Sequence, residues 1–112
     1  MIGIKNLDIT LKINDFSFKT KGKKVDNALI FTYENTNYKY DLLKQTLEKE
    51  DKDMNFLFDF KNSILYLHDK TLSRDININL LIKRLQNDKN DIIISYQIEE
   101  EIFDFLISYM EE

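Results

Sequence analysis

The strictest constraint on this chain is the two-residue rhythm of its last third. Ile76, Ile78, Leu80 and Ile82 fall on every second position, then Ile92, Ile94, Tyr96 and Ile98, then Phe103, Phe105, Ile107 and Tyr109. Two polar runs, Gln86-Asn87-Asp88-Lys89-Asn90 and Glu99-Glu100-Glu101, separate the three. Successive side chains of an extended strand point to opposite faces, so each run places its apolar residues on one side. A helix would scatter the same residues around its circumference. Three such strands joined by two polar turns predict an antiparallel meander with one apolar face. That face needs a cover, and the rest of the chain must supply it.

Upstream the rhythm continues. Leu7, Ile9, Leu11 and Ile13 alternate with Asp8, Thr10, Lys12 and Asn14; Asn14-Asp15 can turn this strand, and Phe16-Ser17-Phe18 begins the return. Lys19 to Lys24, with Gly22 inside it, reads as a cationic loop. It is either a solvated turn or a phosphate-binding corner, and one glycine without a following helix supports the corner poorly. Asn27 to Tyr33 is a strand, Glu34-Asn35-Thr36-Asn37 a four-residue turn, and Tyr38, Tyr40 and Leu42 open the partner strand. Residues 41–53 admit two readings: a short helix capped by Asp41, or a strand through Leu43, Gln45 and Leu47. Neighbouring strands favour the second, running into a charged loop at Glu48 to Asp53. Met54, Phe56, Phe58 and Phe60 form the next strand, and Lys61-Asn62-Ser63 turns it. Ile64, Tyr66 and His68 then alternate with Leu65 and Leu67, a strand apolar on both sides, before the Asp69-Lys70-Thr71 turn. With no internal repeat or linker, residues 1–112 predict one all-β domain. Its architecture is an antiparallel meander of about eight strands that forms a small barrel or a flattened, partly open one.

Composition narrows the function classes. The 112 residues are 43% hydrophobic and 32% charged, enough for a core and a soluble surface. A net charge of −4 argues against wholesale binding to nucleic acid or anionic membrane, since both call for a basic surface. The absence of cysteine suits a reducing compartment, and Met1 to Asn6 carries no signal-peptide core, so the expected setting is cytoplasmic. With no proline and two glycines, asparagine and aspartate must supply many turns.

Motifs for chemistry are sparse. His68 is the only histidine, so a zinc site would need three carboxylates to converge on it. Asp51, Asp53 and Asn55 mimic the opening of a calcium loop, but Phe56 stands where that loop needs glycine and Asn62 where it needs glutamate. There is no phosphate-binding loop, dinucleotide fingerprint or nucleophile elbow. The expectation is therefore a protein without catalytic residues, metal or cofactor. The remaining feature is six tyrosines and eight phenylalanines. They either fill the interior or, through Tyr38, Tyr40, Phe56, Phe58 and Tyr66, line a barrel mouth able to hold one small ligand.

The segments Phe18-Lys-Thr-Lys-Gly22, Ala28-Leu-Ile-Phe-Thr-Tyr-Glu34, Met54-Asn-Phe56, Ile92-Ile-Ile-Ser-Tyr96 and Phe105-Leu-Ile-Ser-Tyr109 carry a resemblance. In their order the chain resembles the YwiB-like proteins, small bacterial β-barrels of the calycin, or lipocalin-like, type. The likeness covers most of the chain and implies a fold without a mechanism. The chain is shorter than that pattern and lacks its Arg-x-Gly strand motif, which implies an open or flattened barrel. The functional expectation is a non-enzymatic calycin-like module, a monomer or an edge-paired homodimer. It would bind a small apolar ligand at Tyr40, Phe56, Phe58 and Tyr66, or a partner protein. The alternative is a small acidic inhibitor of phage type that blocks a basic surface of a larger complex.

Overall fold

The computed structural model describes residues 3–112; Met1 and Ile2, which open the segment read for a leader, lie outside the described residues. Among the described residues the chain forms eleven strands and no helix. They are β1 (Ile4–Ile13), β2 (Phe16–Val25), β3 (Ala28–Tyr33), β4 (Thr36–Asp41), β5 (Thr46–Glu50), β6 (Met54–Asp59), β7 (Ile64–Asp69), β8 (Arg74–Asn79), β9 (Leu81–Asp88), β10 (Asp91–Ile98) and β11 (Glu101–Glu111). All pair antiparallel in one sheet of order β8-β7-β6-β5-β4-β3-β2-β1-β11-β10-β9. β1 lies between β2 and β11, so both ends of the chain are tied into the middle of the sheet.

The all-β meander expected from alternation is present, with eleven strands in place of about eight. Turns shorter than expected account for much of the difference. Tyr33 pairs with Thr36, leaving only Glu34 and Asn35 in that turn, both at positive φ (47° and 63°). Two consecutive left-handed residues give a turn whose twist matches that of the flanking strands. The cationic loop at Lys19 to Lys24 is instead the second half of β2. Lys19, Lys21 and Lys23 pair with Thr10, Asp8 and Asn6 of β1 on the outer face, so all of the charge run but Lys24 is one face of a strand. In residues 41–53 the strand reading holds only from Thr46: Leu43 and Gln45 lie in the turn of residues 42–45, β5 takes Glu48 to Glu50 of the expected charged loop, and residues 51–53 make the next turn. The run Ile76 to Ile82 is divided at Leu80, where its first half pairs with β7 and its second with β10.

That division closes the molecule. β8 and β9 are the two ends of the sheet, yet Leu80 alone separates them in the chain. Its side chain is buried and its N–H donates to Ser63 O at 2.9 Å. The sheet must therefore come round on itself into a nearly closed barrel. Aromatic rings then meet across the interior: Phe60 lies 5.7 Å from Tyr96 and 6.4 Å from Phe105, and Phe58 lies 5.9 Å from Tyr96, centroid to centroid. These separations fall within the range in which aromatic pairs attract. Leu7, Ile9, Leu11, Leu29, Leu47, Leu65, Ile92, Ile94 and Ile107 fill the space between them.

Gly22 is required by packing rather than by backbone freedom. A Cβ there would meet Ile9 Cδ1 at 2.5 Å, Ile30 O at 2.7 Å and Phe31 Cβ at 3.0 Å. Among the described residues nine at positive φ occupy the turns, and none is glycine. Asn14, Asp26 and Asn35 fit the turn chemistry expected of asparagine and aspartate, whereas Glu34, Gln45, Ser63, Ser73, Lys89 and Glu99 do not. Each of those six is held left-handed by ladder pairing on both sides, at a local cost of roughly 1–2 kcal/mol.

Denaturant melts should rank substitutions by these contacts. Gly22→Ala should lose about 1–3 kcal/mol through overpacking, and Ile94→Ala or Phe105→Ala about 2–5 kcal/mol through cavity formation. Glu100→Ala, in the exposed β10–β11 turn, should stay within about 0.5 kcal/mol. The reverse order would show that the buried and exposed faces have been exchanged.

Candidate functional site

The four residues expected to line a ligand site divide between the two faces. Tyr40, Phe56 and Phe58 share the inward face, where Tyr40 pairs with Leu29 and Leu47, and Phe58 with Leu47 and Leu65. Tyr40 has no exposed surface. Its Oη atom is buried without a hydrogen-bond partner among the described residues, and burial, then the Asp41 charge, raises its phenol above the ordinary range. Phe58 packs between Phe56 and Phe60, and Lys49 Nζ covers the Phe56 ring at 5.3 Å from its centroid. Tyr96, opposite them, has its phenol pushed up to about 12 by burial. Tyr66 differs from the expectation. It pairs with Leu57 and Asn77 on the outer face and is 42% exposed, because Leu65 and Leu67 take the inward positions of β7.

Tyr66 belongs to a cross-strand row that sequence reading missed. Directly opposed antiparallel residues point the same way, so successive register pairs line up across the sheet. Ile30, Lys39, Glu48, Leu57, Tyr66 and Asn77 form one such outer row, from β3 to β8. Beside it runs a second, Asn37, Glu50, Asn55, His68 and Asp75, from β4 to β8. Together they line a groove of about 680 Å³ on the outer face. Its only large exposed apolar groups are Ile30 and Tyr66, each 42% accessible. A second groove of about 670 Å³ lies over β1, β2 and β11 around Lys21 and Ser108.

The turns beneath the first groove share one device. In each, an aspartate at or beside the end of a strand accepts hydrogen bonds from backbone N–H groups two or three residues on, as short Asx turns do. Asp41 accepts from Leu43 and Lys44 at 2.9 Å each, Asp51 from Asp53 and Met54 at 2.8 Å each, and Asp69 from Thr71 and Leu72 at 3.0 and 3.2 Å. Asp59 accepts from the Asn62 N–H at 3.1 Å. A left-handed residue closes three of these turns, at Gln45, Ser63 and Ser73. The Asp51 and Asn55 positions that mimic a calcium loop thus have a turn-building aspartate and an outer-row asparagine. The recurring Asp-x-x-x-(Gln/Ser) spacing at 41, 59 and 69 was the signal available in the sequence.

Charged groups in and beside the groove have partners, and that of Lys49 is the Phe56 ring. Lys39 Nζ lies 3.9 Å from Glu48, Lys70 Nζ 2.8 Å from Glu50, and His68 Nδ1 2.6 Å from Asp75 Oδ1. Asn55 Oδ1 is buried and has no hydrogen-bond partner among the described residues. Elsewhere Lys21 bridges Asp8 and Glu112, which together raise its ammonium above the ordinary range. Among the described residues no group of three or more histidines, cysteines or carboxylates could hold a metal ion, and no helix is long and apolar enough to cross a membrane. The groove lining includes no serine, threonine or cysteine.

No family model, no curated protein and no solved structure matches the chain.

The aspartate turns make stability depend on pH. Backbone N–H groups of Asp53 and Met54 hold the Asp51 carboxyl below its ordinary range, and the Thr71 hydroxyl, then the Leu72 N–H, does the same for Asp69. A carboxyl depressed in the folded state adds stability above its unfolded pKa, and that stability is lost as pH falls through the folded value. Asp69→Asn should therefore be less stable than wild type at pH 7, and the gap should narrow steadily below about pH 4. Melts from pH 7 to pH 2.5 test this; a gap that stays constant would show that the charge on Asp69 does not support the turn.

Proposed function

We propose that this protein is a non-enzymatic binding module that recognises its ligand on the outer groove of β3–β8 rather than inside the barrel. The observation that carries this reading is Tyr66, a large ring held half-exposed in the middle of a groove whose walls are amides and paired charges. Recognition sites of this kind combine apolar contact with a few placed polar groups. The interior supports the internal-ligand reading less well. Phe58, Phe60, Tyr96 and Phe105 meet where an apolar ligand would have to sit.

The pair His68–Asp75 is the one feature that favours catalysis. Its groove offers no hydroxyl of serine or threonine and no thiol for the imidazole to activate, so the pair is better suited to orienting a hydrogen-bond donor. The carboxylates of the groove favour binding there over the acidic-inhibitor alternative: Glu48 and Glu50 are engaged by Lys39 and Lys70, whereas an inhibitor of a basic partner would present unpaired carboxylates on one face. The proposal keeps the calycin-like kinship for its barrel shape. It also keeps a cytoplasmic setting, which a cysteine-free chain suits.

Two titrations followed by amide chemical shifts test the reading. A fluorescent fatty-acid analogue should show no saturable micromolar binding to the wild type. A library of small polar fragments should shift the amides of Leu57, Tyr66, His68 and Asn77. Saturable fatty-acid binding with shifts at Tyr40, Phe58 and Tyr96 would return the site to the interior and refute the groove.

A further inference from the structure

From the two outer rows we infer that the groove takes an extended, neutral carbohydrate chain. This inference rests on the groove reading above and gives it a ligand class. Five inter-strand steps of about 4.8 Å make the strip from Ile30 to Asn77 roughly 24 Å long, so it suits an elongated ligand better than a compact one. Most of its charged groups are already engaged within the protein: Lys39 by Glu48, Glu50 by Lys70, Asp75 by a hydrogen bond with His68, and Lys49 by the Phe56 ring it covers. A charged ligand would have to break one of those pairs, and the three carboxylates would repel a phosphate backbone.

What the groove still offers is hydrogen bonding without net charge, next to a flat apolar surface. Asn55 Oδ1 is buried without a partner among the described residues, so a side-chain rotation that turns it toward a ligand's donor breaks no hydrogen bond. Asn37, Asn77 and Asn55 present amides that both donate and accept, and paired carboxylates keep spare lone pairs for hydroxyl donors. Tyr66 lies between Leu57 and Asn77 in its row, an open ring beside an apolar side chain on one flank and an amide on the other. A pyranose matches this arrangement: one face is C–H and stacks on an aromatic ring, and its rim carries neutral hydroxyls that donate and accept. A fatty chain would leave the amides and charges desolvated without partners. An added peptide strand would dock on the free edge of β8, at one end of the groove, and would leave uncovered Tyr66 and the rows over β3 to β7, whose strands are paired on both sides.

The test is a titration of the full chain with neutral linear tetrasaccharides of glucose, N-acetylglucosamine, mannose and xylose, followed by amide chemical shifts. At least one should shift Leu57, Tyr66 and Asn77 saturably. Tyr66→Ala should weaken that binding at least tenfold and Asn55→Ala measurably, while Ile102→Ala, on the outer face of β11, should leave it unchanged. If Tyr66→Ala fails to fold, Tyr66→Leu removes the ring and keeps apolar bulk. Fragments that map to the groove while no tetrasaccharide binds would overturn the carbohydrate inference and leave the groove reading standing. So would binding confined to acidic sugars or to a peptide. If neither fragments nor saccharides shift the groove, both fall.

Discussion

Phe60 meets Tyr96 and Phe105 across the barrel, and the rest of the structure depends on that meeting. Phe60 stands in the turn after β6, while Tyr96 and Phe105 belong to β10 and β11, far along the sheet on the other side of β1. An eleven-stranded meander whose turns are mostly two to four residues long could remain an open ribbon with one apolar face in water. Twist alone curls such a sheet. Burying the rings of its two halves against each other is what makes the curled form the stable one, at about 25 cal/mol for each Å² of apolar surface removed from water. Leu80 completes the closure covalently, because the chain passes from one end of the sheet to the other within a single residue.

Closure by aromatic rings has a functional consequence. Rings that hold the barrel shut occupy the volume in which a barrel of this type would hold a ligand. The outer face is then left to carry recognition, and it is built differently on the two sides of the molecule. Over β1 and β2 the outer residues are lysines with carboxylate partners. Over β4 to β8 the short strands and aspartate-capped turns bring amides, one imidazole and Tyr66 into two straight rows. The turns do more than reverse the chain: they set the register, and a slip of one residue would turn Tyr66 inward and Leu65 outward.

Alternation made the all-β class and the buried faces of β1, β10 and β11 legible, because each keeps an unbroken apolar row on one side and breaks the other with polar residues such as Asp8, Thr10, Ser95, Gln97, Asp104 and Ser108. Leu7, Ile9 and Leu11 could hardly face any way but inward. Legibility failed where charge or apolarity fell on both sides. Lys19 to Lys24 reads as a loop until β1 supplies partners for its odd-numbered lysines, and a run of lysines carries no sign of that pairing. Tyr66 and Leu65 are both apolar enough to be buried, so only the pairing of Leu65 with Phe58 decides between them. The groove was invisible for a related reason: residues 30, 39, 48, 57, 66 and 77 are far apart in the chain and meet only through register. Asp41, Asp59 and Asp69, each followed four positions later by the left-handed residue, could have fixed that register had the spacing been read as a turn signal. Asp41 was recognised as a cap, and the element it caps is a turn rather than a helix.

The two halves of the sheet close on each other through these rings. Nuclear Overhauser contacts between the ring protons of Phe60 and those of Tyr96 and Phe105 test it directly. Strong cross-peaks among all three rings, together with the β8–β7 and β9–β10 ladders, are the predicted result. Intact ladders with no cross-peak between Phe60 and either ring would mean that the sheet stays open, and would return the interior face to the list of surfaces on which this protein could bind.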